Sequence, residues 1–383
     1  MRRTFGCVRL VWNKALAERH ARYVAEGKST SYPETDRALT AWKKTADLAF
    51  LSEVSSVPLQ QTLRHQHTAF VNFFAGRARY PRFKTRSSRQ AAHFTRSAFR
   101  FRDGELWLAK TNAPLAFVWS FPHAEPQEID PTSVVVSLEP DERWYVSFVA
   151  DAVDPAPLEL TGRGIGIDLG LKDLVVTSEG ERIGNPNHLE RKAKNLARYQ
   201  RRMARCQKGS KNRAKAKRKV AAAHRKVRQS RADHLHKTTT RLVRTNDLIA
   251  IEDLSIANMV KNRRLSKSIH DASWGEFRRQ LTYKAELAGR LLVVIDRFYP
   301  SSKTCSHCGY LLKDLSLSTR AWTCPGCRAR HDRDHNAAKN ILAAGRVVAA
   351  RERGDACGAD VIRQGTPLPS SATKQEPSQA ARI

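Results

Sequence analysis

The chain has 383 residues, enough for two or three domains, and its 68 lysines and arginines against 37 acids leave a formal charge of +31. That excess calls for a polyanionic partner, nucleic acid before an anionic membrane surface. Hydrophobic residues make up 41% of the chain, which excludes a wholly disordered polyelectrolyte, and no uncharged apolar run approaches the roughly 18 residues of a spanning helix. Arg2-Arg3-Thr4-Phe5 has the outline of a twin-arginine export signal, but Arg9, Lys14 and Glu18 interrupt the apolar region such a signal needs. The expectation is a cytoplasmic protein, nucleoid-associated if bacterial, with no membrane partner.

From 1 to about 80, apolar residues recur at three- and four-residue spacing, as in Val8, Val11, Trp12 and Ala15 and again across 57–74, which predicts helices. From about 80 to 153 the pattern turns to short alternating runs. Phe99-Arg100-Phe101-Arg102 and Trp144-Tyr145-Val146-Ser147-Phe148-Val149 read as strands, set off by Asp103-Gly104 and Pro140-Asp141-Glu142. Pro155, Pro157 and Gly162-Arg163-Gly164 mark a linker and a domain boundary. Residues 165–177 read as two apolar strands meeting around Gly170. Residues 191–244 hold one acid, Asp233, one glycine, Gly209, and no proline, which predicts a long basic helical hairpin broken near Lys208-Gly209-Ser210. Leu248-Ile249-Ala250-Ile251-Glu252-Asp253-Leu254 is a buried-strand run ending in carboxylates. Residues 274–288 have helical spacing, 291–295 form another apolar strand, and 336–350 form an alanine-rich helix. The tail, rich in Pro, Ser, Thr and Gln from about 365, is expected to be disordered.

Two constellations carry chemistry. Cys305-x2-Cys308 and Cys324-x2-Cys327 sit on tight turns, as Cys-Ser-His-Cys-Gly and Cys-Pro-Gly-Cys, so four thiolates can converge on one Zn²⁺. Two disulfides or four reduced thiols are the plainer alternatives, and His307 and His331 are spare nitrogen ligands. With four sulfurs the ion has no open position, so its role is structural. The second constellation is Asp168, Glu252 and Asp334, acids at the ends of predicted core elements. Alone, each is as readily a turn residue, a strand end or a helix N-cap. Three carboxylates delivered by separate elements to one sheet edge are what two Mg²⁺ ions need to activate a water and stabilise the leaving oxygen at a scissile phosphate.

In their order, Gly166-Ile167-Asp168-Leu169-Gly170, then Ile251-Glu252-Asp253-Leu254, then the four cysteines running into Asp332-Arg333-Asp334-His335-Asn336-Ala337-Ala338-Lys339-Asn340-Ile341, the chain resembles the TnpB proteins. These are transposon-encoded RNA-guided DNA endonucleases related to type V CRISPR effectors. The resemblance covers about residues 2–365, is most specific over 164–342, and extends to Ala356-Cys357-Gly358 and Lys374-Gln375-Glu376-Pro377. It implies an α/β multidomain chain: a helical recognition lobe over 1–80, a small β-barrel wedge domain gripping the guide RNA over 81–160, and an RNase H-like RuvC nuclease over 161–302 and 331–352. An inserted zinc ribbon occupies 303–330, and a disordered tail 353–383. It further implies Asp168, Glu252 and Asp334 as the Mg²⁺-binding catalytic acids, with Asp332 left to cap the last helix. Its partners are a guide RNA derived from the transposon end and target DNA. The sequence does not fix the oligomeric state, and a monomer is the favoured expectation. The alternatives are a structure-selective nuclease or transposase acting without RNA, and a cleavage-inactive RNA-guided DNA-binding repressor.

In the basic hairpin, Arg201, Arg202, Arg205, Lys208, Lys211, Arg213, Lys215, Lys217, Arg218 and Lys219 fall on every face of a helix. Such crowding repels unless a polyanion neutralises it, which favours phosphate contact over a solvated surface. Tyr80-Pro81-Arg82-Phe83-Lys84 with Arg96, Arg100 and Arg102 mixes bases and aromatics in the way that suits unpaired nucleotides, although alternating strands produce the same mixture by default. Cys7, Cys206 and Cys357 lack partners at ligand spacing. TnpB proteins usually open with a short aromatic and arginine-rich strand before the segment matching Arg2-Arg3-Thr4-Phe5-Gly6-Cys7. The expectation is therefore a start upstream of Met1, the alternative being a decayed copy whose nuclease acids outlived its RNA grip, with the 383-residue form gripping guide RNA poorly in either case.

Overall fold

A computed structural model describes residues 1–87, 89–120, 125–151, 156–316 and 318–355. The expected tail, with Cys357 and the segment around Lys374, lies outside the described residues beyond 355. The chain forms two compact units, Met1–Pro155 with His188–Ala232, and Ala156–Asn187 with Asp233–Ile383.

The first unit opens with α1 (Arg2–Glu26), which buries Phe5, Val8, Val11, Trp12 and Ala15 and stops at Gly27 in the left-handed region, its N–H returning to Tyr23 O. Helix α2 (Tyr32–Trp42) starts on a capping box between Ser31 and Glu34, and α3 (Ser56–Phe74) follows. The strands come next: β1 (Gln90–Thr95), β2 (Phe99–Arg102), β3 (Glu105–Leu108), β4 (Pro131–Leu138) and β5 (Trp144–Ala150). Strands β2 and β3 form a hairpin through Asp103 and Gly104, both at positive φ, while β1-β4-β5 is an antiparallel sheet with β4 central. Among the described residues the strands do not close into the expected barrel. The apolar side of β1 and β4 is covered by helices instead: Ala92, Phe94, Val134 and Val136 share one core with Val8, Val11, Leu59 and Leu63. Helices thus do here what a closing strand does in a barrel, and 1–80 and 81–150 share a core rather than forming separate bodies.

Two further helices, α4 (His188–Arg205) and α5 (Lys211–Thr245), form the hairpin expected around Gly209. The strand turn Pro140-Asp141-Glu142 holds α5 by ion pairs. Arg225 meets Asp141 at 2.5 Å with side chains only 9% and 3% exposed, and Arg218 meets Glu142 at 2.8 Å.

The second unit contains β6 (Gly164–Leu169), β7 (Asp173–Thr177), β8 (Arg182–Gly184), β9 (Leu248–Glu252) and β10 (Leu291–Ile295), joined in the order β10-β9-β6-β7-β8. Strands β6, β9 and β10 run parallel, and β7 and β8 antiparallel. Parallel strands need cover on both faces, and their unbroken apolar runs supply it. Ile165, Ile167, Ile249 and Ile251 face one core with Leu235 and Leu242 of α5. From α6 (Ile256–Met259), α7 (Ser266–Ala272) and α8 (Trp274–Leu287), that core takes Ile256, Ile269, Trp274 and Phe277. Leu248, Ala250 and Val293 face the other way, onto Ile341 and Ala349 of the last helix. Before that helix come β11 (Ala321–Thr323) and β12 (Arg330–Asp332), an antiparallel pair joined by the turn that holds Cys324 and Cys327, and β12 leads straight into α9 (Arg333–Asp355). No helix among the described residues is long and apolar enough to cross a membrane.

Candidate active site and metal centre

Strand register builds the acid site. The pairing of Ile167 with Ile251 places Asp168 and Glu252 next in line on two neighbouring parallel strands. Alternation puts both on the face that carries Gly166 and Ala250, which is the face α9 crosses. Helix α9 lies so close there that a Cβ on Gly166 would stand 2.1 Å from Ala338 O, and one on Gly345 would stand 2.5 Å from the Ala250 Cβ. Asp334 is one turn N-terminal to Ala338, so the same close approach carries it to the acid end of β6.

Burial, then the negative fields of Glu252 and Asp334, push the Asp168 carboxyl up to about 7. Burial also raises Glu252, against a hydrogen bond donated by Ser301 Oγ. Asp334 lies 3.9 Å from Arg182 and 3.6 Å from Arg320. Asp332 accepts the His335 backbone N–H at 3.0 Å, capping α9, and meets Arg182 at 2.7 Å. No three acids among the described residues bring their oxygens within 4.8 Å of one another, so this cluster is wider than a single-ion cage. Raised carboxyls on neighbouring strands resist ionising until a cation joins them, and oxygen donors of this kind fit hard divalent cations.

The cysteines are tightly gathered. All four sulfurs lie within 4.8 Å of one another, with Cys305 to Cys327 at 3.7 Å and Cys308 to Cys324 at 3.6 Å. Zinc–sulfur bonds of about 2.3 Å in a tetrahedron place sulfurs about 3.8 Å apart, so the set can hold a zinc ion. His331 Nε2 lies 3.0 Å from Cys305 Sγ, touching a candidate ligand without joining the four-sulfur group.

The basic residues divide. Arg201, Arg202, Arg205, Lys208, Lys211, Lys215, Lys217 and Lys219 are exposed. Arg213 is half-buried and donates to Met203 O and Cys206 O, stapling the hairpin turn, while Arg218 is held by Glu142. A groove of about 250 Å³ along α4 and α5 is lined by Lys192, Tyr199, Lys219 and Lys226. Of the mixed aromatic and basic residues, Lys84 sits 4.0 Å over the Trp12 ring, Tyr80 edges onto Phe70 and Phe73, and Arg96 pairs with Asp130. Ser301, Arg182, Asn336 and Asn340 were not singled out as functional by sequence reasoning. The one available signal was the four-residue spacing of the two asparagines, which puts them on one helical face.

Residues 133–263 match a family described as "Probable transposase", 274–341 a "Cas12f1-like, TNB domain", and 1–28, here one continuous helix, a "Helix-turn-helix domain". A relative from Streptomyces pristinaespiralis, named "Putative RNA-guided DNA endonuclease", is 51% identical over 99% of this chain and 92% of its own. The chain belongs to the TnpB family. A second relative, "Putative RNA-guided DNA endonuclease InsQ" of Escherichia coli K12, is 31% identical over 99% of this TnpB chain and 94% of its own. Mimivirus proteins named "TnpB-like" are 31% identical over 57% of it. The structure titled "Cryo-EM structure of the Cas12f1-sgRNA-target DNA complex" shares the fold, with a TM-score of 0.54, 13% identity and coverage of 89% of this chain and 81% of that one.

Proposed function

We propose that this TnpB chain is an RNA-guided DNA endonuclease. It binds a structured RNA from its own transposon end and cuts DNA that pairs with it. The reading rests on Asp168, Glu252 and Asp334 reaching one end of a mixed sheet from β6, β9 and α9. The strand order, three meandering strands followed by two parallel ones, supports an RNase H-like reading of this sheet. Asp168, Glu252 and Asp334 would hold two Mg²⁺ ions, which supply water activation and leaving-group stabilisation in phosphodiester hydrolysis. Ser301 orients Glu252 through its hydroxyl, and Arg182 and Arg320 restrain Asp334. Cys305, Cys308, Cys324 and Cys327 would hold one structural zinc in a ribbon beside the nuclease.

The helical and β-rich first unit serves guide-RNA and flanking-motif recognition, and the exposed lysines and arginines of α4 and α5 neutralise phosphates. Pairing carries the sequence information, so the protein needs a basic, shape-reading surface more than a base-reading helix. It acts as a monomer at cytoplasmic DNA.

The test is to purify the chain, sequence the RNA that comes with it, and offer Mg²⁺ and DNA complementary to that RNA. Cleavage by the natural protein and none by Asp168→Ala, with RNA binding equal in both, supports the reading. Cleavage that ignores the RNA sequence refutes it.

A further inference from the structure

Residues 300–306 connect the two metal-binding constellations. At one end of this loop the Ser301 hydroxyl donates to Glu252, and four residues on stands Cys305. Helix α9 grips the loop in between. Asn340 Nδ2 donates to the carbonyls of Ser301 and Thr304, each at 2.7 Å, and Asn336 Nδ2 donates to Thr304 O at 2.8 Å. Asn336 Oδ1 accepts the Ser306 N–H at 2.9 Å. The two asparagines are 2% and 5% exposed. A primary amide at such depth is tolerated only when its bonds are made, so these four hydrogen bonds leave the loop one position along α9. The same helix carries Asp334, and residue 305 is the first cysteine of the four.

We propose that zinc at the four cysteines fixes the position of Glu252 through Ser301, Asn336 and Asn340, so that filling the zinc site tightens the binding of hard divalent cations at the acids. The proposal rests on the nuclease reading. With zinc bound, Cys305 is held from the sulfur side and the asparagines hold the loop from the helix side. Without zinc the loop is held from the helix side only, and the donor that aims the Glu252 carboxylate is held less firmly. Ser301, Asn336 and Asn340 are positioning residues, since each acts through the loop and the Glu252 carboxylate. Coupling between two binding sites is reciprocal, so divalent cations at the acids also slow zinc loss.

The test uses full-length, nucleic-acid-free protein and measures Mn²⁺ affinity by calorimetry beside zinc content. Cys308→Ser, which alters an exposed cysteine, should lose zinc and bind Mn²⁺ about tenfold more weakly, in the usual range of inter-site coupling. Ser301→Ala should keep one zinc and bind Mn²⁺ several-fold more weakly, and Ser301→Thr, which keeps the hydroxyl, should restore the affinity. Asn340→Ala should raise amide exchange across 301–306 with zinc retained. Mn²⁺ binding that is abolished by Asp168→Ala yet indifferent to zinc and to Ser301→Ala overturns the coupling and leaves the nuclease reading standing. Zinc-loaded natural protein that binds Mn²⁺ no better than Asp168→Ala overturns both.

Discussion

Asp168 stores an electrostatic cost, set by its burial and by the neighbouring Glu252 and Asp334. A carboxyl held at about 7 instead of 3.8 keeps its proton in the folded chain while the unfolded chain gives its proton up, so stability falls as pH rises from about 4 to 7 and stays reduced above that. Without divalent cations at pH 8, Asp168→Asn should therefore melt higher than the natural protein, by about 1–3 kcal/mol in stability once partial solvent contact is allowed for. Below about pH 4 the two should coincide. Equal melting at pH 8 would mean that the strand end is better hydrated than its position implies. Asp332 and Asp334 can be separated in the same way. Asp332→Ala removes the α9 cap and should cost about 1 kcal/mol while cutting continues, whereas Asp334→Ala should leave melting nearly unchanged and abolish cutting. The opposite pattern would mean that the two aspartates have exchanged roles.

At the scale of elements, β6, β9 and β10 were legible because parallel, two-side-covered strands are continuous apolar runs, antiparallel β7 was legible from its own apolar run, and α9 was legible from its alanines. Its start at Arg333 rather than at 336 was not, because β12 feeds it without a loop. Strand β8 is three residues with a single apolar side chain, too little for any periodicity, although it carries Arg182. The barrel expectation failed for a related reason: alternation announces strands but not what covers them, and here α1 and α3 do. The hairpin was readable as helix, but charge counting could not separate Arg213 and Arg225, which are structural, from the exposed residues around them. Arg225→Ala should cost about 3 kcal/mol, since it leaves buried Asp141 with Arg143, at 4.0 Å, as its remaining ion-pair partner. A loss below about 1 kcal/mol by denaturant titration would show that water reaches that pair. Cys324→Ser should release zinc and loosen 303–330 while the second unit's sheet, with its own apolar faces, stays folded. Full loss of the cooperative transition would show that the sheet needs the metal.

For the whole molecule, a charge of +31 predicts RNA binding that weakens steeply with salt. Replacing Lys215, Lys217 and Lys219 together by alanine should weaken RNA binding and flatten the logarithmic salt slope, by roughly 0.7–0.9 for each phosphate no longer neutralised. An unchanged slope would place those lysines away from the RNA. Arg213→Ala should act differently, loosening the hairpin turn more than the slope.

The order in which the chain is made gives the interleaved units a temporal meaning. Strand β6 emerges early but has no parallel neighbour until β9 follows, because 188–232 of the first unit comes between them. Asp334 follows later still, after β10 and the cysteines. Translation must therefore reach the start of α9 before all three acids exist in one molecule, and further before Gly345 can seat that helix against Ala250. On the proposed function, a ribosome-bound fragment with its first unit made should hold RNA before it has any means of cutting. By the same reading, chains abandoned before α9 should be unable to cut DNA, and cleavage competence should arrive only with nearly the whole described length.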